Sequence, residues 1–172
     1  ASEIEQMKYA SEVSSLAHEL AMRHSKDGVN ECQLQAIIEG FFSYAGASGW
    51  AYPSIVGCGE NATILHYTVN NEAWNAGEVI PIDAGAEYRG YASDITRSWP
   101  ISGTFTDAQK EIYSLVLKSQ EAAIAACIVG NSYTKPHDEA RRVLAEGLIE
   151  LGIISQSVEE ALDADNGELR RW

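Results

Sequence analysis

Two aspartates are the residues of this sequence whose type and spacing are best suited to chemistry. Asp83 and Asp94 lie eleven positions apart in the stretch 81–100, which reads as two short strands joined around residues 88–90. A turn centred between the first two joining residues would place the aspartates directly opposite each other. Opposite side chains have Cβ atoms about 4.5–5.5 Å apart, where like charges are destabilising. Two carboxylates held that close need a shared proton or a cation between them.

A divalent cation is the explanation that the surrounding residues favour. The flanking strand residues are apolar, so both carboxylates should point into a partly buried cleft, where unpaired charge is costly; these residues are Ile82, Ala84, Ala92, Ile95 and Trp99. Carboxylate oxygens suit hard or borderline divalent ions, and one carboxylate can chelate one ion or bridge two. Two aspartates do not complete a coordination sphere, so further ligands must come from elsewhere. The alternative is a solvated hairpin with two accidental acids.

Four other side chains are candidates for a role beside the two aspartates. His66, predicted on a strand, could bind a substrate carbonyl or carboxylate or shuttle a proton, or could be structural. Tyr52 could hydrogen bond near a metal, or be an ordinary strand aromatic. Thr96 and Arg97 could orient Asp94, or be a strand hydroxyl and a surface charge. The remaining histidines are expected on helix surfaces: His18, His24 and His137.

The composition is that of an ordinary globular domain with excess acid. The chain has 172 residues, 45% of them hydrophobic, and a formal net charge of −13. This charge argues against nucleic acid and against an anionic membrane surface as partners. No apolar run approaches the roughly 20 residues that span a bilayer. The odd cysteines, Cys32, Cys58 and Cys127, favour reduced thiols in a cytoplasmic protein over a disulfide framework.

Helices are predicted on both sides of a strand-rich middle. Apolar residues at helical spacing predict a helix over 2–24, and Asn30 is predicted to cap a second helix. Aromatic and β-branched residues predict a first strand pair over 50–56 and 62–69. Capping boxes at Thr106 and Ser157 and a helix from Pro136 to Gly152 complete the pattern. The third helix is expected to run towards Gly130 and to bury Ile112, Leu115, Val116, Ala122, Ala123 and Ala126.

This order of elements predicts an α+β fold. A sheet must bury one face and paired helices must bury a stripe, so the helices should pack on one face of an antiparallel sheet. The second pair of helices is followed by no strands before the chain ends. If the two halves follow one plan, the second half is incomplete.

Three runs of residues together resemble the Xaa-Pro aminopeptidase and prolidase family of pita-bread metallopeptidases. They are Gly-Glu-Asn at 59–61, Ile-Leu-His-Tyr at 64–67, and Asp-Ala-Gly-Ala-Glu-Tyr-Arg-Gly-Tyr-Ala-Ser-Asp-Ile-Thr-Arg at 83–97. Methionine aminopeptidases share a similar aspartate spacing, but the flanking residues favour the proline-directed branch. The resemblance covers nearly the whole chain and implies a pita-bread fold. Residues 1–172 would form one partial catalytic domain, its first two-thirds or so.

The resemblance also implies a dinuclear site that hydrolyses Xaa-Pro peptide bonds. Asp83 would chelate one ion and Asp94 would bridge both, with manganese as the usual metal and cobalt or zinc as substitutes. The ions would act as Lewis acids and lower the pKa of water. His66 would match the family's substrate-binding histidine, with a catalytic role, and Tyr52 would lie beside the substrate.

The family's remaining ligands, one histidine and two glutamates, have no match before the end of the chain. We therefore expect this chain alone to be inactive and the full-length protein to be a homodimeric enzyme that acts on proline-containing peptides or dipeptides. Two alternatives stay open. One is a non-catalytic pita-bread protein that serves as a binding module, and the other is a metal-independent amidinohydrolase of the creatine type, against which the retained aspartates count.

Overall fold

The computed structural model describes residues 2–75 and 77–171, which form two compact units, Ala1–Phe105 and Thr106–Trp172. The first unit contains α1 (Ser2–His24), α2 (Glu31–Tyr44), β1 (Gly49–Trp50), β2 (Ile55–Val56), a 3-10 turn (Gly59–Thr63), β3 (Val79–Ala84), β4 (Ala86–Tyr88), β5 (Tyr91–Ala92) and β6 (Ile95–Pro100). The second contains α3 (Asp107–Ala125), α4 (Lys135–Glu150), α5 (Val158–Ala161) and a 3-10 turn (Glu168–Arg171). Whether the whole chain forms one partial catalytic domain stays a prediction.

The described strands of the first unit form two antiparallel sheets, with the orders β1-β4-β5 and β2-β3-β6. Helix α1 packs against β4, β5 and β6, and α2 packs against β1 and β2. The shared core consists mainly of small or branched apolar residues, with two tryptophans: Val13, Ala17, Ala21, Leu34, Ile38, Phe42, Val56, Ile80, Ile82, Ala84, Ala86, Trp74 and Trp99 are among them. The alternation of buried residues along β3 confirms that one face of this strand is turned to the core.

The helix signals in the sequence are confirmed. Asn30 caps α2 and forms a capping box with Gln33, and the predicted bounds of α1 agree with the structure. Capping boxes also open α3 at Thr106 and α5 at Ser157. Helix α3 ends at Ala125, five residues before the glycine at which it was predicted to end.

The prediction of a strand over 62–69 is wrong. Residues 59–63 form a 3-10 turn, and His66 follows in a turn with a φ of 56°. The stretch 50–56 contributes only the two-residue strands β1 and β2, which belong to different sheets. The backbone around His66 is anchored by side chains rather than by a neighbouring strand, as described below, so its β-branched residues do not extend a sheet.

The predicted register of the aspartate hairpin is also wrong. The turn consists of Arg89 and Gly90, with φ of 53° and 85°, between the paired residues Tyr88 and Tyr91. Two residues with positive φ make the type I′ turn, whose twist suits a two-residue hairpin. This turn lies one residue later than predicted, which moves every cross-strand partner by two positions. Asp83 therefore faces a threonine, not Asp94.

The second unit is a small helical assembly around α3 and α4 with its own core. Buried residues in this core are Leu115, Val143, Ala145, Leu148, Ile154, Ala161 and Leu169. The apolar stripe predicted for α3 is only partly buried, because Ile112 and Val116 are 41% and 53% exposed. The buried face of α3 instead contains Ser119, whose hydroxyl donates to the carbonyl of Ala140 on α4 at 3.0 Å.

Gly147 lets α3 and α4 approach closely, which gives a stability prediction with a matched control. A Cβ at Gly147 would lie 2.1 Å from a methyl group of Leu115, so Gly147→Ala must displace this side chain. We expect it to lower the free energy of unfolding by about 1–3 kcal/mol, the usual cost of overpacking. Gly40→Ala, in the middle of α2 with open space around its Cβ, should raise it by about 0.5–1 kcal/mol. Urea unfolding measures both, and equal effects of the two changes would contradict the close approach.

Candidate metal centre

Asp83 is held by hydrogen-bonded strands on both sides. It lies in β3, the central strand of its sheet, opposite Ile55 of β2 and Thr96 of β6. Because both edges of a central strand are paired, the ladder determines where the side chain leaves the backbone. The residue is half-buried. The structure therefore places this carboxylate on a rigid element at the border of the core.

Asp94 lies in the short link between β5 and β6, two residues before Thr96. Because Thr96 faces Asp83 and successive side chains alternate between faces, Asp94 occupies the diagonal position on the same face as Asp83. Diagonal neighbours in an antiparallel pair are about 7–8 Å apart, within reach of a shared partner. Asp94 is exposed. The corrected register thus still brings the two predicted metal ligands together.

The hydroxyl of Tyr52 lies between the two carboxylates. It donates to Oδ1 of Asp83 at 2.5 Å and is 3.0 Å from Oδ1 of Asp94. A phenol has one proton, so it cannot satisfy two ionised carboxylates at once, and their oxygens converge on one point with a deficit of positive charge. Burial, followed by the hydrogen bond and charge of Asp83 and then of Asp94, raises the pKa of Tyr52 well above its ordinary value. Tyr52 is therefore a neutral donor.

Gly85 makes this convergence sterically feasible. A Cβ on Gly85 would lie 1.8 Å from the carbonyl oxygen of Ser93 and 3.1 Å from Cε1 of Tyr52. The first contact is with backbone, which has little freedom to move. The carbonyl of Gly85 also accepts a hydrogen bond of 2.7 Å from the N–H of Ala51, next to Tyr52. A residue without a side chain at position 85 is thus required for the strands and the tyrosine to meet here.

Helix α1 supports the link that carries Asp94. The hydroxyls of Ser14 on α1 and Ser93 are 2.6 Å apart, and both are buried. The N–H of Ala86 donates to both hydroxyls, at 2.8 Å to Ser14 and 3.1 Å to Ser93. These bonds pin the residue before Asp94 between the helix and β4. The sequence carried one signal for them, since Ser14 and His18 are polar residues at helical spacing on the apolar face of α1.

His18 is not a surface residue, so that expectation is wrong. Only 2% of its surface is exposed, because it lies on the face of α1 that packs against the sheet. One ring nitrogen lies 2.8 Å from the carbonyl of Ser14 and the other 3.4 Å from the carbonyl of Ile82. Its contact with the residue before Asp83 makes it part of the support of the site. His24 and His137 are exposed, as predicted.

Thr96 and Arg97, predicted to orient Asp94, are placed differently. Thr96 lies on the same face as both aspartates, directly opposite Asp83. Arg97 is opposite Ile82, so strand alternation directs it to the other face. Its guanidinium donates to the carbonyl of Thr96 at 2.7 Å, and within residues 2–75 and 77–171 it forms no ion pair with either aspartate. Its role beside Asp94 stays a prediction without a contact to support it.

His66, the predicted substrate-binding residue, is exposed in the turn after the 3-10 segment. Its left-handed φ of 56° is uncommon for a residue with a side chain. The adjacent Tyr67 is buried, and its hydroxyl donates to the carboxylate of Glu31 at 2.9 Å. A buried neighbour thus anchors an exposed imidazole. The structure places His66 on a loop, whereas Asp83 lies in a strand and Asp94 next to one.

Glu31 supports the turn that carries His66, a role that the sequence did not reveal. It is the first residue of α2 and has no exposed surface. Burial raises the pKa of its carboxyl, but hydrogen bonds from the Glu72 N–H, Asn61, Tyr67 and the Cys58 N–H outweigh this effect and leave the pKa below its ordinary value. An acid after a helix cap is common in sequences because it favours the helix dipole, so the sequence gave no sign of these partners.

The donors at the aspartate pair fit a divalent ion but do not complete its coordination. Among the residues that the structure describes, no three His, Cys, Asp or Glu side chains form a cluster able to hold a metal. Asp83 and Asp94 offer two converging carboxylate oxygens around a single hydroxyl proton, the arrangement in which a cation relieves repulsion. Oxygen donors of this kind suit manganese, magnesium or zinc.

Comparison with known proteins gives the family. The model of metallopeptidase family M24 matches residues 5–163. The chain belongs to this family of metallopeptidases, which confirms the class that the aspartate motif indicated.

Its relatives include aminopeptidases that act at proline. The chain is 41% identical over 160 residues to the Xaa-Pro aminopeptidase of Escherichia coli, covering 93% of this chain and 36% of the relative. The solved structure of aminopeptidase PepP from Pseudomonas aeruginosa superimposes with a TM-score of 0.91 at 44% identity, covering 93% of this chain and 36% of that one. The structure of zinc-substituted E. coli aminopeptidase P in complex with product superimposes with a TM-score of 0.90 at 41% identity, and the match again covers 93% of this chain and 36% of that one.

These likenesses confirm the α+β pita-bread fold expected from the sequence. The chain spans about 36% of the length of the first relatives it matches. Divalent-metal use is a property of the family that the aspartate pair fits. Within the described ranges, no helix combines the length and hydrophobicity needed to cross a membrane.

Removing the Tyr52 hydroxyl should make the protein depend more on divalent ions. Tyr52→Phe leaves both carboxylates without their shared donor, so the metal-free protein should melt at a lower temperature than the unchanged protein. Manganese should then raise the melting temperature of the variant more than that of the unchanged protein, because the ion replaces the lost proton. Differential scanning calorimetry with EDTA and with manganese measures both. Tyr44→Phe, at an 87% exposed tyrosine, is the matched control, and identical metal responses in both variants would contradict the bridging role.

The thiols should differ sharply in reactivity. Cys58 is buried, and burial followed by the neighbouring Glu31 carboxylate raises the pKa of its thiol to about 12. Cys32 and Cys127 are exposed. Because the thiolate is the nucleophile, iodoacetamide at pH 8 should label the two exposed cysteines and spare Cys58 until urea unfolds the protein. Peptide mass spectrometry locates the label, and labelling of Cys58 in the folded protein at the rate of Cys32 would refute its protected state.

Proposed function

We propose that the full-length protein carrying this chain is a metal-dependent peptidase that hydrolyses Xaa-Pro bonds with two divalent ions, most readily manganese. The observation that supports it best is the convergence of Asp83 and Asp94 on the Tyr52 hydroxyl, within a chain of family M24. The named aminopeptidase relatives supply the substrate class.

Each site residue receives a separate task in this proposal. Asp83, fixed within the central strand, and Asp94, on the more exposed link, would together hold the ions through their carboxylate oxygens. When bound, the ions supply Lewis acidity towards the scissile carbonyl and lower the pKa of water. Tyr52 keeps the carboxylate oxygens oriented by donating its proton to Asp83.

His66 is proposed to bind the substrate. Its exposed imidazole can donate an N–H to a peptide carbonyl or carboxylate, or move a proton at that nitrogen. The buried Tyr67 next to it restrains the backbone of the turn and so the position of the His66 imidazole. Thr96, beside Asp83 on the same face, is proposed to limit the freedom of that carboxylate.

The chain of residues 1–172 by itself is proposed to be inactive. Two aspartates supply too few donors for a stable dinuclear site, and no cluster of three ligands occurs in the part of the chain that the structure describes. A homodimeric assembly and a cytoplasmic location are further parts of this proposal, which sedimentation and cell fractionation of the full-length protein test.

Cleavage assays on the full-length protein test the function. After removal of metals with EDTA and addition of manganese, it should cleave Ala-Pro or Ala-Pro-Ala and leave Ala-Ala-Ala intact, as followed by mass spectrometry. Asp83→Asn and Asp94→Asn should each lower kcat/KM at least about 100-fold, because a lost ligand removes several kcal/mol of charge stabilisation.

The matched control for these variants is Glu12→Gln, which removes an exposed acid from α1 and should retain full activity. Manganese should also raise the melting temperature of the full-length protein by binding the folded state, and Asp94→Ala should abolish that rise. A protein that binds no metal and cleaves neither proline peptide would reject the peptidase and favour a non-catalytic binding module.

A further inference from the structure

Glu31 is a buried carboxylate whose partners are all neutral donors. It has no exposed surface, yet it takes part in none of the ion pairs found among the described residues. Burying a carboxylate without a countercharge is costly unless hydrogen bonds compensate. Its place in the first turn of α2, at the positive end of the helix dipole, lowers this cost. Such a group calls for an explanation beyond stability.

Four hydrogen bonds converge on this carboxylate, and all come from one loop, residues 58–72. The N–H of Cys58 donates to Oε1 at 3.0 Å, and the side-chain amide of Asn61 donates to the same oxygen at 3.1 Å. The hydroxyl of Tyr67 donates to Oε2 at 2.9 Å, and the N–H of Glu72 does so at 3.0 Å. One side chain thus ties the loop at its beginning, in its 3-10 turn, in its middle and at its end.

The loop needs this support because its backbone is strained. His66 and Asn70 have φ of 56° and 49°, and left-handed conformations of residues with side chains persist only where the surroundings enforce them. Asn70 receives its own fixation: its Oδ1 accepts from the N–H of Val56 at 3.1 Å, and its Nδ2 donates to the carbonyl of Ser54 at 2.8 Å. Among the residues that the structure describes, no comparable bond to His66 itself is found, whereas its neighbour Tyr67 is held by Glu31.

We propose that Glu31 is a positioning residue, which fixes the 58–72 loop so that the imidazole of His66 is presented to the substrate. This inference rests on the proposed peptidase function, in which His66 binds the substrate. Glu31 touches neither the substrate nor the metal ligands. It acts through Tyr67, one residue from His66, and through the two loop ends.

A double-mutant cycle in the full-length protein tests whether Glu31 acts through His66. Glu31→Gln replaces one acceptor oxygen by an NH₂ group that faces a backbone N–H, which can only donate, so at least one of the four ties breaks. We expect kcat/KM for Ala-Pro-Ala to fall at least 10-fold, mostly through a higher KM, with manganese content unchanged. In the His66→Ala background the same change should cost less than 2-fold. A full 10-fold loss in that background, or a loss confined to kcat, would overturn the inference.

Two controls separate positioning from general destabilisation. Ile38→Val, at a fully buried residue of the same helix, should lower the melting temperature without raising KM. Glu39→Gln, about two turns further along α2, changes a carboxylate that accepts only from Gln35 among the described residues and should leave KM unchanged. If Ile38→Val raised KM as much as Glu31→Gln does, the positioning role would be rejected.

A second variant and a second readout keep the test independent of folding yield and of activity. Tyr67→Phe removes one of the four ties, together with the bond that this hydroxyl accepts from Asn61. It should raise KM in the same direction but less, which carries the test if Glu31→Gln does not fold. Hydrogen exchange in Glu31→Gln should be faster at the amide of Cys58 or of Glu72, whichever faces the new NH₂ group, and unchanged exchange at both amides would refute the clamp. If the unchanged protein cleaves no proline peptide, the peptidase proposal fails, whereas the exchange measurement still decides whether Glu31 holds the loop.

Discussion

The repulsion between two carboxylates that meet at one hydroxyl is the constraint on which the first unit depends. Asp83 and Asp94 both direct an oxygen towards the Tyr52 hydroxyl, and one proton cannot neutralise two negative charges. Left to itself, such a pair would separate. The hydrogen-bonded strands of the unit hold both carboxylates in place, so their repulsion could be relieved by a cation. A fold that does not let the acids move apart would contribute to the metal affinity of the proposed site.

The supports of this pair are mostly small and neutral. Gly85 has no side chain, and a Cβ at this position would collide with the backbone of Ser93 and crowd Tyr52. Ser14 and Ser93 join α1 to the hairpin by short buried hydrogen bonds, where larger residues would hold the helix away. Neutral supports do not compete with a metal ion for the carboxylates, whereas a lysine or arginine in the same place would form ion pairs with them. These supports are uncharged, so under the metal proposal they would leave the aspartate oxygens to the ions.

Much of this architecture could be predicted from the sequence. Helices with clear periodicity and capping boxes, such as those opened by Asn30 and Thr106, were found because their signals are local. The aspartate pair was recognised because its chemistry and flanking residues recur in a known family. The register of the aspartate hairpin was not predicted correctly, because an arginine such as Arg89 is rarely found in the left-handed region and is a poor signal for a type I′ turn. The error left the two aspartates on one face because the shift was two residues, which preserves strand alternation.

The errors at His66 and His18 have a common physical cause. The segment 62–69 has the composition of a strand, but it is held by the hydrogen bond of the Tyr67 hydroxyl to Glu31, a contact between residues distant in sequence. His18 was expected at the surface because a polar residue on a helix usually lies there. It is instead buried between two carbonyls, one of them in β3. Local sequence patterns indicate the intrinsic preference of a segment for secondary structure and burial. The positions of His66 and His18 are instead determined by contacts with residues distant in sequence.

The four bonds of Glu31 also have a consequence for the order in which the chain folds. They join residues 27 to 41 positions apart in the sequence, so each closes a long loop, and such closures lose chain entropy before any bond rewards them. Helix α2 can form from its own cap and periodicity, whereas the 58–72 segment has no regular structure until the helix is there to receive it. The bonds that hold the segment carrying His66 should therefore form late in folding, after α2. Opening of this segment by local unfolding, rather than global denaturation, would limit how long the histidine stays in place.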